Sequence, residues 1–208
     1  MTVALADFIE SFSNGPFAAI AGDAPWLITG RAREHVAGLV TRLEPDAYRV
    51  EGDIAVALSA VVEPGAVLKG PLVVGPGCFV GAGAYLRGGV FLDEACCVGP
   101  GCEVKSTLVF SGTHIAHFNF VGDSILGANV NIEAGAVIAN HRNERTDRRI
   151  RIRHAGGVIE TGIVKFGSLV GDGARIGANA VIAPGALLLP GTIVPRLGHV
   201  DQAPAQAS

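Results

Sequence analysis

Three cations recur in step along the chain: Lys69, Arg87 and Lys105, each eighteen residues after the last. Cations stacked at one spacing can form an anion groove. Arginine suits phosphate in particular, because its planar fork of donors matches the phosphate oxygens. The same spacing also suits a plain solvated ladder, since like charges on neighbouring rungs repel and spread into water. His117, in AHFNFVGDS, carries a ring able to take up a proton near neutral pH. A surface or core histidine satisfied by hydrogen bonds is the plainer alternative. Asn131 and Asn140 bound the stretch NIEAGAVIAN. An amide there can orient a polar ligand or simply satisfy backbone groups in a turn.

The elements that must position these residues are legible in a period of six. Val62, Leu68, Val74, Val80, Leu86, Leu92, Val98, Val104 and Phe110 are large hydrophobes at every sixth position. The residue four places on is often small, as at Ala66, Cys78, Ala84, Cys96 and Cys102. Six is neither a helical nor a strand period. It is the hexapeptide repeat of a parallel β-helix, with strands of neighbouring coils about 4.8 Å apart. Like residues stack at a spacing of eighteen: Leu72, Val90 and Leu108; Ala66, Ala84 and Cys102. That spacing predicts three faces per coil, with Val62 to Phe110 pointing inward. His114 falls in an inward slot and reads as structural. The register breaks near Thr113 and returns at Val164, Val170, Ile176, Ile182, Leu188 and Val194.

This reading divides the chain. Residues 1–53 form a mostly helical cap, expected over the first coil, where a sheet edge would otherwise be bare. Residues 54–200 form the β-helix. A polar, arginine-rich excursion over 139–163 is expected to protrude, partly as a ribbon, because RIRIR alternates with period two. Residues 201–208, DQAPAQAS, read as a disordered tail. A net charge of −3 argues against a nucleic-acid partner. No apolar run approaches membrane-spanning length. The opening MTVALADFIE lacks the basic stretch and apolar core of an export signal, so a cytoplasmic location is expected. Of the four cysteines, Cys78, Cys96 and Cys102 sit in the small inward slots and read as core, not as a disulfide framework.

Three motifs are more specific than the period. AHFNFVGDS, NVNIEAGAVIAN followed by a basic loop, and TGIVKFGSLVGDGARIGANAVIAPG resemble the acetyltransferase domain of glucosamine-1-phosphate acetyltransferase/uridyltransferases, the archaeal branch especially. The resemblance covers more than half the chain and implies a left-handed, all-β helix of hexapeptide repeats assembled as a homotrimer. It implies acetyl-CoA as co-substrate, an amino sugar phosphate such as glucosamine 1-phosphate as acceptor, and no metal. Such chemistry serves nucleotide-sugar or cell-envelope precursor synthesis. By position, His117 matches the general base, and His117 and Asn140 together are the expected catalytic residues, with the oxyanion stabilised by a backbone N–H near Ala134 or by Asn140. Arg87 and Lys105 match the sugar-phosphate binders, and Asn131 and Asn140 the residues orienting amino sugar and thioester. Ala134 matches a backbone contact to the acetyl-CoA arm, and Ala178 lies on a coil that lines the same arm. Phe120 stands where the family has a substrate-holding tyrosine, and Glu133 replaces the first glycine of the family's GAG. The uridyltransferase domain has no counterpart in the 50 residues before the repeats.

Two other readings share the coil. A zinc enzyme of the γ-carbonic-anhydrase type needs three histidines across a trimer interface, and His114 and His117 lack that family's longer ligand spacing. A non-catalytic nucleotide-sugar-binding or regulatory module needs only the groove. Retention of His117, Arg87, Lys105, Asn131 and Asn140 together speaks for catalysis; Phe120 with Glu133 speaks for the module.

Overall fold

The computed structural model describes residues 2–203. Its strands are two to four residues long and stack into three parallel sheets, one per face. The all-β class and the left-handed β-helix of hexapeptide repeats expected from the sequence are the fold. The first face runs through Leu72–Val74, Val90–Leu92 and Leu108–Val109. The second runs through Phe79–Val80, Cys97–Val98, His114–Ile115 and Asn131–Ile132. The third runs through Tyr85–Arg87, Glu103–Lys105, Phe120–Gly122 and Val137–Ile138. Val74, Val80, Leu86, Leu92, Val98 and Val104 fill the interior with no solvent exposure. Cys78, Cys96 and Cys102 are buried free thiols among them. The Cys96 thiol is pushed up, first by its hydrogen bond to Cys78 and then by burial.

The phase departs from the expected one at one corner. Leu86 pairs with Val104, eighteen residues on, but Val104 pairs with Val121, only seventeen on. The corner between the third and first faces has lost a residue, so Val109, not Phe110, joins the internal stack. Phe110 turns outward onto Phe12, ring centroids 5.4 Å apart. The loss recurs at the next turn, where Leu126 follows Val121. The break therefore precedes Thr113, which is buried and donates from Oγ1 to the Gly127 carbonyl at 2.7 Å. His114 is exposed and its neighbour Ile115 faces in, which corrects the inward slot given to the histidine. Val164 is exposed as well. The stack resumes at Val170, paired with Leu126. Adjacent apolar residues, such as Val109 and Phe110, make a one-residue slip invisible to a count of hydrophobes.

The N-terminal segment is helical but does not lie over the first coil. Three 3₁₀ turns precede α1 (Pro25–Gly30) and α2 (Ala32–Val40). Together they run along the outside of the first face. Phe8, Phe12, Phe17, Trp26 and Val36 form a second core there with Val73, Phe91, Leu108, Ile125 and Leu169. The cause is in the strands: Leu72-Val73-Val74 and Val90-Phe91-Leu92 are apolar on both sides, so their outer side must also be covered. Burying each such outer side chain contributes about 1.5–3 kcal/mol. At the first coil, strand β1 (Tyr48–Glu51) folds back antiparallel on β2 (Ile54–Ala57).

The excursion over 139–163 does contain a ribbon, Arg151–His154 against Gly157–Glu160. It packs down instead of protruding, with Ile150 and Ile152 fully buried in the flank core. Alternation placed isoleucines on one side, and the apolar flank supplied a surface for them. Arg142 is only 2% exposed and grips Asp201 with both terminal nitrogens, at 2.7 and 2.8 Å. Gln202 bonds both backbone groups of Leu187. Of the tail expected to be disordered, residues 201–203 are thus tied to the body, and 204–208 lie outside the described residues.

Candidate active site

The corner between the second and third faces is a ladder of backbone hydrogen bonds, one rung per coil. Phe118 N–H donates to the Pro100 carbonyl, Gly135 N–H to His117, Asn179 N–H to Ala134, and Leu197 N–H to Ala178. The ladder places His117, Ala134 and Ala178 on successive coils. Each rung turns through a residue in the left-handed region, Phe118, Gly135, Asn179 and Leu197, as does Gly101 on the coil before them. Phe118, at φ 53°, is a bulky residue where glycine is the unstrained choice. Its ring lies over Gly101, where a side chain would meet it at 2.6 Å. The strained turn holds His117 exposed, and its imidazole bonds to no described residue. The Ala134 N–H donates to no described residue either. The Ala178 N–H is occupied, because Glu133 Oε2 accepts it at 2.8 Å.

Glu133 is the departure noted in the sequence, and the structure gives it a partner. Arg196 clasps it with two bonds, Nε to Oε2 at 2.8 Å and Nη2 to Oε1 at 2.9 Å. That clasp, followed by the Ala178 N–H, pulls the Glu133 carboxyl down to about 2. Asn131 lies on the second face and lines a recess of about 240 Å3 with Glu133, Arg175 and Arg196.

Arg87, Lys105 and Asn140 gather at the other end of the third face, roughly 10 Å from that corner along a three-residue strand; Phe120 begins the strand and its ring reaches over to them. Arg87 and Lys105 are register neighbours there, as the column predicts. Neither is bare. Arg87 pairs with Glu103 at 2.7 Å, and Lys105 with Asp123 at 2.7 Å. Lys69 sits over the Tyr85 ring, 5.1 Å from its centroid, and Arg87 lies 5.9 Å from the same centroid. The cluster keeps one positive charge in excess. Asn140 Nδ2 donates to Asp123 as well. Phe120 and Asn140 close over Gly122, where a Cβ would fall 2.6 Å from Asn140 Nδ2 and 2.9 Å from the Phe120 ring.

The structure therefore brings Arg87, Lys105, Phe120 and Asn140 into one group and His117, Ala134 and Ala178 into another, with Asn131 on the adjoining face. Sequence reasoning passed over Glu103, Gly122, Asp123 and Arg196. Asp123 lay inside a quoted motif, VGDS, but its role depends on contacts across coils. An exposed imidazole, a free backbone N–H one coil away and a cationic cluster are groups whose chemistry suits taking up a proton, donating to an oxygen and meeting an anion.

No family model matches the chain. Among curated proteins it is 35% identical over 69 residues to a bifunctional sugar-1-phosphate nucleotidylyltransferase/acetyltransferase of Sulfurisphaera tokodaii, covering 33% of this chain and 17% of that protein. It is 34% identical over 70 residues to the bifunctional protein GlmU of Methanococcus maripaludis, covering 34% of the chain and 16% of the relative. The matches thus span about a sixth of those relatives' length. The resemblance read from the motifs holds over this third of the chain. Among solved structures, a hexapeptide transferase family protein from Anaplasma phagocytophilum overlaps 74% of the chain and 80% of its own, at 18% identity and a TM-score of 0.44. The acetyltransferase domain of PglB from Neisseria gonorrhoeae, in complex with acetyl coenzyme A, overlaps 69% and 54%, at 23% identity and a TM-score of 0.31.

Proposed function

We propose that this chain transfers an acetyl group from acetyl-CoA to the amine of an amino sugar phosphate, as a cytoplasmic homotrimer. The observation that carries the reading is the corner ladder, which sets the exposed His117 one coil from the free Ala134 N–H. The amine nitrogen attacks the thioester carbonyl, His117 takes the proton the amine loses, the C–S bond breaks and CoA leaves as thiolate. The Ala134 N–H faces the developing oxyanion. Arg87 and Lys105 hold the sugar phosphate, and Asn131 and Asn140 orient the reactants.

Assembly is supported at the same corner. Phe118 and Leu197 stand 73% and 78% exposed there, three rungs apart, and a second subunit packed along the corner would cover both. Glu133 at the acyl-donor path and Phe120 in place of a tyrosine favour the alternative, a non-catalytic nucleotide-sugar-binding module. A coenzyme-release assay across amino sugar phosphates separates the two. Turnover that falls about 10²–10⁴-fold in His117→Ala supports catalysis. Full activity in that variant removes His117 from the mechanism. No coenzyme release with any amino sugar phosphate, beside measurable binding of a nucleotide sugar, supports the module. Light scattering that finds only monomer would count against the homotrimer.

A further inference from the structure

We infer that Asp123 is a positioning residue that decides which end of the Asn140 amide is left free for a ligand and how much of the Lys105 charge is left for a phosphate. Asp123 is 6% exposed and knits three coils together. Its N–H donates to the Lys105 carbonyl at 2.8 Å, and its carbonyl accepts the Gly167 N–H at 2.8 Å. Its carboxylate receives Lys105 Nζ on both oxygens, at 2.9 and 2.7 Å, and Asn140 Nδ2 on Oδ2.

An ionised carboxylate only accepts hydrogen bonds. Asn140 must therefore turn its NH2 toward Asp123 and its Oδ1 away. The Phe120 ring and the Asn140 amide crowd over Gly122, which restrains the amide from turning over. Asn140 then leaves its carbonyl oxygen on the side away from Asp123, an acceptor for the hydrogens of an amine or hydroxyl. That makes it an orienter of the acceptor and leaves the oxyanion to the Ala134 N–H. At the same time Asp123 is the counter-charge of Lys105, so an incoming phosphate shares that cation with a resident carboxylate.

The turnover part rests on the acetyl-transfer reading; the amide and charge parts do not. Asp123 sits at φ 46°, a conformation asparagine also tolerates, so Asp123→Asn keeps the fold. A thermal melt checks this, with Asp123→Ser as the second variant. In Asp123→Asn, kcat should fall about 10²-fold through misplacement of the acceptor. Inorganic phosphate, followed by titration calorimetry, should bind about tenfold tighter, because Lys105 loses its counter-charge. A merely structural lesion would weaken both. Combining Asp123→Asn with Asn140→Ala should lower kcat no further than Asn140→Ala alone, since Asp123 acts through that amide. In wild type, the Asn140 side-chain NH2 should show one proton shifted and slow to exchange by NMR, and Asp123→Asn should abolish this. Additive losses, unchanged phosphate affinity, or an Asn140 amide indifferent to the variant would each overturn the assignment. Wild type inert on every amino sugar phosphate, with the phosphate and amide effects intact, would overturn the acetyl-transfer reading alone.

Discussion

Replacing Asp201 by alanine tests whether the segment after the last coil is a working part of the fold. Arg142 is 2% exposed and keeps its charge through four contacts: two to Asp201, one to the Pro184 carbonyl at 2.7 Å and a longer one to Glu144 at 3.3 Å. Asp201→Ala leaves the buried guanidinium with the carbonyl and an exposed carboxylate. Breaking a fully buried pair costs about 3–5 kcal/mol. The Asp201 side chain is 29% exposed and Glu144 remains, so about 2–3 kcal/mol is the expected loss here. For a chain of this size that lowers Tm by roughly 5–10 °C. The pH dependence has a definite sign. The Arg142 hydrogen bond holds the Asp201 carboxyl below its ordinary value, so the unfolded chain binds the extra proton. The contribution is complete above about pH 4 and drains away as pH falls through the folded value. Melts of wild type and variant should therefore differ at neutral pH and converge in acid. A shift below about 1 °C, or a gap unchanged in acid, would refute the reasoning. Arg142 lies two residues after Asn140, so a raised KM for the acceptor should accompany the lower Tm.

Gly122→Ala should displace Asn140 and Phe120, lowering turnover about 10²-fold; full activity would mean the amide works from elsewhere. Glu133→Ala should free both Arg196 and the Ala178 N–H and tighten CoA binding about 3- to 10-fold by titration calorimetry. With the Glu133 carboxyl held at about 2, the clasp itself adds no pH dependence to wild-type CoA affinity near neutrality, and unchanged or weaker binding in the variant would remove the clasp from the donor path. Phe120→Tyr should raise turnover on glucosamine 1-phosphate, and no gain would point to a different acceptor.

Period and stacking were open to a reader of the sequence, because each inward residue is chosen by a local rule repeated in every coil. Val80, Leu86 and Val98 point inward as a count of six requires, and Cys78 stacks on Cys96 one coil later. The spacing of Arg87 and Lys105 likewise translated directly into adjacent rungs. What the count could not decide was phase wherever two neighbours were both apolar, and so Val109 took the place assigned to Phe110. Nor could it show that the outer side of the first face, apolar through Val73, Phe91 and Leu108, would draw the N-terminal helices along the flank and pull Ile150 and Ile152 down with them. The site divides the same way. Residue types and motifs named His117, Arg87, Lys105 and Asn140. Their partners, Asp123 for Lys105 and Asn140 and Glu103 for Arg87, depend on how turns of different coils meet. Hydrogen bonds and ion pairs act over about 3 Å, and only the closed coil brings residues that far apart in the chain within that reach.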